Sequence, residues 1–217
     1  KHYICIMKIN NSEVRSHLSL KVDSQNIFFT ADLHFGHKNV IKFDNRPFES
    51  IEEMNETIIE NWNNKVPKDG IVFFLGDLSF ISLKQTEALF SRLNGTIHII
   101  NGNHDSWKVI SKLGIASIQN MLELKVLDSD VTNDRFNGYQ PITLCHYPIM
   151  VWDKHHAGAW HLHGHCHHNL SNTETGLTYY LRKVIDVGTN GHNFTPLSYQ
   201  EVKGIMKDRE IELLDHL

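Results

Sequence analysis

The sequence predicts an α/β fold of the αββα type, in which two sheets pack together with helices outside them. Three observations carry this. Short apolar runs at residues 27–31, 71–75 and 96–100 have the continuous hydrophobicity of strands buried on both faces. Two helical patterns separate these runs, so the first half reads β-α-β-α-β. After about residue 115 the chain becomes strand-rich with little helix between strands.

Each element has a local reason. Residues 2–9 and 16–22 alternate weakly, which predicts an N-terminal hairpin within residues 1–24, ahead of the core. The first helix opens at Ser50, three residues before Glu53, a capping-box spacing, and Ile51, Met54, Ile58, Ile59 and Trp62 recur on one face. The second opens between Ser82 and Gln85, carries Leu83, Ala88, Leu89, Phe90 and Leu93, and is expected to stop at Asn94-Gly95. Strands are expected at 121–127, 141–146, 159–163 and 181–187, and a helix over 198–206. With no repeat or long linker, residues 1–217 read as a single domain.

Composition narrows the function classes. The 217 residues are 41% hydrophobic with a net charge of −4, too apolar and too nearly neutral for a disordered chain. No run of about 18 apolar residues offers a membrane span. No charged-then-apolar leader is visible, and three cysteines at positions 5, 145 and 166 form no disulfide framework, so a cytoplasmic protein with free thiols is expected. Twenty-one basic residues stand against 25 acidic ones with no dense Lys/Arg run, which does not favour long nucleic acid as a partner.

Histidine is the anomaly. There are 16, and seven fall between His155 and His168. Potential ligands stand where strands end: Asp32 and His34 after the first, Asp77 after the second, Asn103, His104 and Asp105 after the third, His146 after a later one, then His165 and His167. In open α/β sheets ligands bind beyond the carboxyl ends of the strands. Residues i and i+2 of an extended chain share a side, so Asp32 with His34, and His165 with His167, are each expected to face one centre, with Leu33 and Cys166 turned away. Mixed nitrogen and oxygen donors suit manganese, iron, zinc or nickel, and there are enough for two ions. By contrast His98 reads as a hydrogen-bonded core residue. His161 and His163 read as a layer behind the site, His155, His156 and His168 as loop residues, and Trp152 and Trp160 as packing.

The ordered set Asp32-x-His34, Gly76-Asp77, Gly102-Asn103-His104-Asp105, His146 and Gly164-His165-x-His167 resembles the calcineurin-like metallophosphoesterases, over roughly residues 27 to 192. Phe35-Gly36-His37, Asn45-Arg46-Pro47-Phe48 and Asn61-Trp62-Asn63 resemble small prokaryotic and phage members. The resemblance implies a four-layer αββα sandwich of two mixed sheets flanked by helices. It implies one metal on Asp32, His34 and His167, a second on Asn103, His146 and His165, and Asp77 bridging both. Manganese is the first choice for the two divalent transition-metal ions.

The implied activity is that of a phosphoric ester hydrolase, a phosphatase or phosphodiesterase acting through a metal-bridging hydroxide. His104 would donate a proton to the leaving group, and Asp105 would orient it. Arg46 is a candidate to grip substrate phosphate, against pairing with Asp44 or Glu49; His37 is a candidate substrate contact, against capping the helix that follows it. A small phosphorylated substrate, nucleotides included, fits this reading. The alternatives are a non-catalytic interaction module of the same fold, and a nuclease or cyclic-nucleotide phosphodiesterase.

Overall fold

In the computed structural model, residues 19–211 are described. In chain order they form β1 (Ser19–Asp23), β2 (Ile27–Thr30), α1 (Val40–Phe43), α2 (Ile51–Lys65), β3 (Ile71–Phe74), α3 (Leu83–Phe90), β4 (Thr96–Ile100), α4 (Trp107–Ile110) and β5 (Ser117–Gln119). There follow β6 (Met121–Leu127), β7 (Tyr139–Cys145), β8 (Trp160–His163), α5 (Glu174–Tyr179), β9 (Val184–Asp186), β10 (Leu197–Ser198) and α6 (Tyr199–Lys207). The strands make two mixed five-stranded sheets, ordered β1-β6-β7-β8-β9 and β10-β2-β3-β4-β5. No helix of the described residues is long and apolar enough to cross a membrane.

The sheets share one core. Ile27, Phe29 and Phe73 of one meet Leu124, Ile142 and Leu162 of the other. Phe28, Val72 and Phe74, on the opposite face of the first sheet, pack with Met54, Ile58 and Trp62 of α2. Strands β2 and β3 are thus covered on both sides, which is why they read as unbroken apolar runs. In β6 only every second residue is buried, since Leu122, Leu124 and Val126 face the core while the others stay partly exposed.

The Asn61-Trp62-Asn63 segment staples the layers. Trp62 Nε1 donates to the Asn94 carbonyl, Asn63 Oδ1 accepts from the Asn94 N–H, and Asn61 Nδ2 donates to the Asn193 carbonyl.

Several expectations need amendment. The second hairpin strand survives in part as β1, which pairs parallel with β6; the first lies outside the described residues. At α2, Ser50 accepts from the Glu53 N–H, but Glu53 turns back to the Glu49 N–H, so the box closes one residue early. Helix α3 ends at Phe90, and Asn94 instead donates to the Val66 carbonyl beyond the end of α2. Helix α5 was not anticipated; Thr173 caps it, accepting from the Gly176 N–H.

His161 on β8 is fully buried and neutral by its bonding. Nδ1 faces the Thr143 carbonyl and Nε2 accepts from the Ile149 N–H. Burial, reinforced by neighbouring His163, brings its pKa down to about 3. The unfolded chain therefore binds this proton more tightly. Stability from this group is complete above about pH 6.5 and is lost as pH falls toward 3, at up to about 1.4 kcal/mol per pH unit. In urea unfolding of metal-free protein across that range, His161→Gln is expected to make the loss of stability on acidification shallower by up to about 1.4 kcal/mol per pH unit.

Candidate metal centre

The donor residues gather at the carboxyl ends of strands from both sheets, but not by strand alternation. Asp32, His34, Asp77, His165 and His167 all have left-handed backbone, with φ of 58°, 52°, 63°, 68° and 47°. Each such non-glycine residue costs on the order of 1 kcal/mol, and strain of this kind concentrates at functional sites. The turns are still laced together: Asp32 N–H donates to the Gly76 carbonyl at 2.9 Å and His34 N–H to the Asp77 carbonyl at 3.0 Å. Two glycines permit the crowding. A Cβ on Gly76 (φ 95°) would lie 2.7 Å from His146 Nδ1, and one on Gly164 2.7 Å from Asp32 Oδ2. Leu33 turns into the core as expected.

Two donor groups result. Asp32, His34 and His167 offer atoms within 4.8 Å of one another, and so do Asp32, Asp77 and His146. Asp77 stands between them: its Oδ2 is 3.8 Å from His34 Nε2 and 3.6 Å from His146 Nε2, while its Oδ1 accepts the His104 N–H. Asn103 Oδ1 lies 2.9 Å from His146 Nε2 and 3.0 Å from His165 Nδ1, so Asn103 and His165 join the second group.

The bonding of the ring nitrogens fits a cation. His146 Nδ1 is 2.7 Å from the Leu75 carbonyl, so it carries the proton, and the Nε2 lone pair faces the oxygens of Asn103 and Asp77. His167 Nδ1 is 2.7 Å from Asp44 Oδ2, which turns its Nε2 lone pair to within 2.9 Å of His34 Nε2 and 3.7 Å of Asp32 Oδ1. His34 Nδ1 has no hydrogen-bond partner among the described residues, so a proton on His34 Nε2 can be shared with His167 Nε2; a cation in its place would be held by both nitrogens. Burial raises the Asp32 pKa well above the carboxylate range, helped by the charges of Asp186 and Asp77, and burial lowers that of His34 to about 2. A divalent cation among these donors would satisfy both.

Of the remaining candidates, Arg46 and His37 take the roles weighed against substrate contact, and Asp105 takes one not expected. Arg46 is buried; its guanidinium donates to the carbonyls of Asp32 and Leu33 and lies 3.6 Å from Asp44. It braces the Asp32–His34 turn and is not free to grip substrate. His37 accepts the Val40 N–H at Nδ1, which is the capping alternative, although its ring stays beside those of His34 and Phe80. Asp105 does not hold the His104 ring: its oxygens accept the backbone N–H groups of Asp77, Leu78 and Gly102 and so fasten the loop. His104 is exposed at the rim, its ring centroid 6.1 Å from that of His34.

Asp44 is the residue sequence reasoning missed as part of the site. Burial would raise its pKa, but hydrogen bonds from His167 and Asn190 and the charge of Arg46 hold it below the usual range. It fixes the His167 ring as carboxylates do behind metal-bound histidines. Its spacing from Arg46 was the available signal, and it read as an ion pair.

Of the other histidines, His98 bonds Ser117 Oγ, His163 bonds the Gly164 carbonyl, and His155 is buried rather than solvated. Trp152 and Trp160 are buried packing residues. Cys145 and Cys166 are free thiols, the first buried and the second half-buried.

The fold and site together define a mixed α/β protein with a His/Asp donor cluster at the strand ends. The chain belongs to the same family as the uncharacterized protein MJ1445 of Methanocaldococcus jannaschii, to which it is 37% identical over 194 residues, covering 88% of this chain and 97% of that one. It is also similar to the Gene 66 proteins of Mycobacterium phages L5 and D29. The first is 29% identical over 171 residues (65% of this chain, 77% of the relative), the second 28% over 205 (85% and 98%). No protein-family model matches. A crystal structure of the protein of unknown function AQ665 from Aquifex aeolicus shares the fold, with a TM-score of 0.60 at 19% identity over 82% of this chain and 98% of that one.

Asp44→Asn is expected to weaken manganese binding about 10- to 100-fold with little change in fold, measured by calorimetry. Arg46→Leu, which removes one donor each from the carbonyls of Asp32 and Leu33 and the neighbouring charge from Asp44, is expected to destabilise the protein by about 3–5 kcal/mol in chemical denaturation.

Proposed function

We propose that this chain is a dinuclear metal-dependent phosphoesterase with the four-layer αββα metallophosphoesterase sandwich. The observation that carries the reading is the position of Asp77, whose one free carboxylate oxygen faces His34 on one side and His146 on the other. Asp32, His34 and His167 would hold one ion, Asn103, His146 and His165 the other, with Asp77 shared. When bound, two divalent transition-metal ions supply Lewis-acid charge and an acidified water for in-line hydrolysis of a phosphomonoester or phosphodiester; manganese is the first choice and iron, zinc or nickel the alternatives.

The chain's own residues do the rest. His104 donates a proton to the leaving oxygen, for which its exposed place at the rim suits it. Its backbone N–H on Asp77 Oδ1 ties the position of this acid to the shared carboxylate. Asp105 holds the loop that carries both Asn103 and His104 by accepting the Gly102 N–H. Arg46 keeps Asp32 and His34 aimed by gripping the intervening backbone. The substrate class proposed for this centre is a small phosphorylated compound.

Full-length protein with manganese is expected to hydrolyse p-nitrophenyl phosphate or bis(p-nitrophenyl) phosphate, and Asp77→Asn to lower the rate at least about 100-fold. Metal binding without hydrolysis of either ester would overturn the enzyme reading in favour of a non-catalytic module. His104→Ala is expected to slow esters with poor leaving groups more than those with good ones, with metal content unchanged. Equal loss for both would remove the proton-donor role.

A further inference from the structure

We infer that the ester this centre accepts is a nucleotide whose base stacks on an exposed aromatic strip formed by Phe80, His37 and Phe43; the inference rests on the phosphoesterase reading above. The strip begins at the donors. The Phe80 ring centroid lies 5.3 Å from that of His34 and 4.9 Å from that of His104. It continues to His37 at 4.2 Å, and from His37 to Phe43 at 6.3 Å. Four rings thus lead from the proposed proton donor across the surface.

Two of these rings are exposed, Phe80 and Phe43, and His37 between them is half-buried. Phe80 is 41% and Phe43 73% exposed, in a protein whose other phenylalanines are mostly buried. Phe80 is fixed by its backbone, since its N–H donates to the carbonyl of buried Phe35 and Ser79 bridges to Phe35. His37 is fixed by the Val40 N–H on Nδ1. Phe80 and His37 are thereby preorganised, and such a pair loses little entropy when a flat ligand settles on it. Neither packing nor capping explains why Phe80 and Phe43 face solvent beside a polar centre.

The neighbouring charges select the ligand. The strip abuts donors suited to phosphate, and Lys38 and Lys42 are exposed on the segment that carries His37 and Phe43. A phosphate joined to a flat heteroaromatic ring matches that combination, because base stacking on aromatic side chains with nearby basic groups is how proteins hold nucleotides without reading their sequence. An aliphatic phosphate ester would leave the strip unused.

The test compares two diesters with the same leaving group, thymidine 5′-(p-nitrophenyl phosphate) and methyl p-nitrophenyl phosphate, on full-length protein with manganese. The expected result is a preference in kcat/KM for the nucleoside ester that falls about 5- to 100-fold in Phe80→Ala and in Phe43→Ala. Phe43 touches little else, so its variant stands even if Phe80→Ala disturbs the loop. Equal kcat/KM for the two esters in the unaltered protein, or a preference that survives both substitutions, overturns the inference. If neither diester is hydrolysed, the diesterase form of the reading fails, the hydrolase reading itself being decided by p-nitrophenyl phosphate as above, and the strip is judged by calorimetric titration of thymidine 5′-monophosphate into manganese-loaded protein. Saturable binding weakened by Phe43→Ala supports the strip; no binding, or binding indifferent to the substitution, overturns it.

Discussion

Lone pairs crowded at the ends of two packed sheets are the constraint on which the rest of the structure depends. His146 and His167 each commit Nδ1 to an oxygen acceptor, so in the neutral ring their Nε2 atoms face inward as acceptors. Asp32 and Asp77 add buried carboxylates to the same small volume. Without a positive charge among them this arrangement is unfavourable, because buried charges and polar atoms are stable only when paired or coordinated. Arg46, the buried cation beside these donors, is spent on the backbone carbonyls of Asp32 and Leu33. The metal reading follows from this imbalance.

The sheets make the crowding possible. Parallel strands β2, β3 and β4 end on one side, as do parallel strands β7 and β8 of the other sheet. A shared core presses the two together, so that loops distant in sequence meet. His34 and His167, 133 residues apart, approach to 2.9 Å for this reason. Left-handed residues then turn the side chains inward where an extended chain would have carried them past.

Much of the fold was legible in the chain. Strands β2, β3, β4 and β6 and helices α2, α3 and α6 follow from continuous or alternating apolar runs and from caps at Ser50, Ser82 and Ser198. The three-residue β5 and two-residue β10 were not legible, because each exists only by pairing with a neighbouring strand. The four-residue helices α1 and α4 are too short for any periodic signal.

The sequence by itself determined which residues offer donors, since aspartate, asparagine and histidine after buried strands carry their chemistry wherever the chain places them. It also determined that those strands would be parallel and their carboxyl ends adjacent. Only the tertiary structure decided how the remaining polar residues are spent. Arg46 is withdrawn into the protein by the carbonyls of a strained turn, Asp105 is consumed by three backbone N–H groups, and Asp44 stands behind His167. Those assignments depend on which unpaired backbone groups a strained turn exposes, and that is fixed by three-dimensional packing rather than by spacing along the chain.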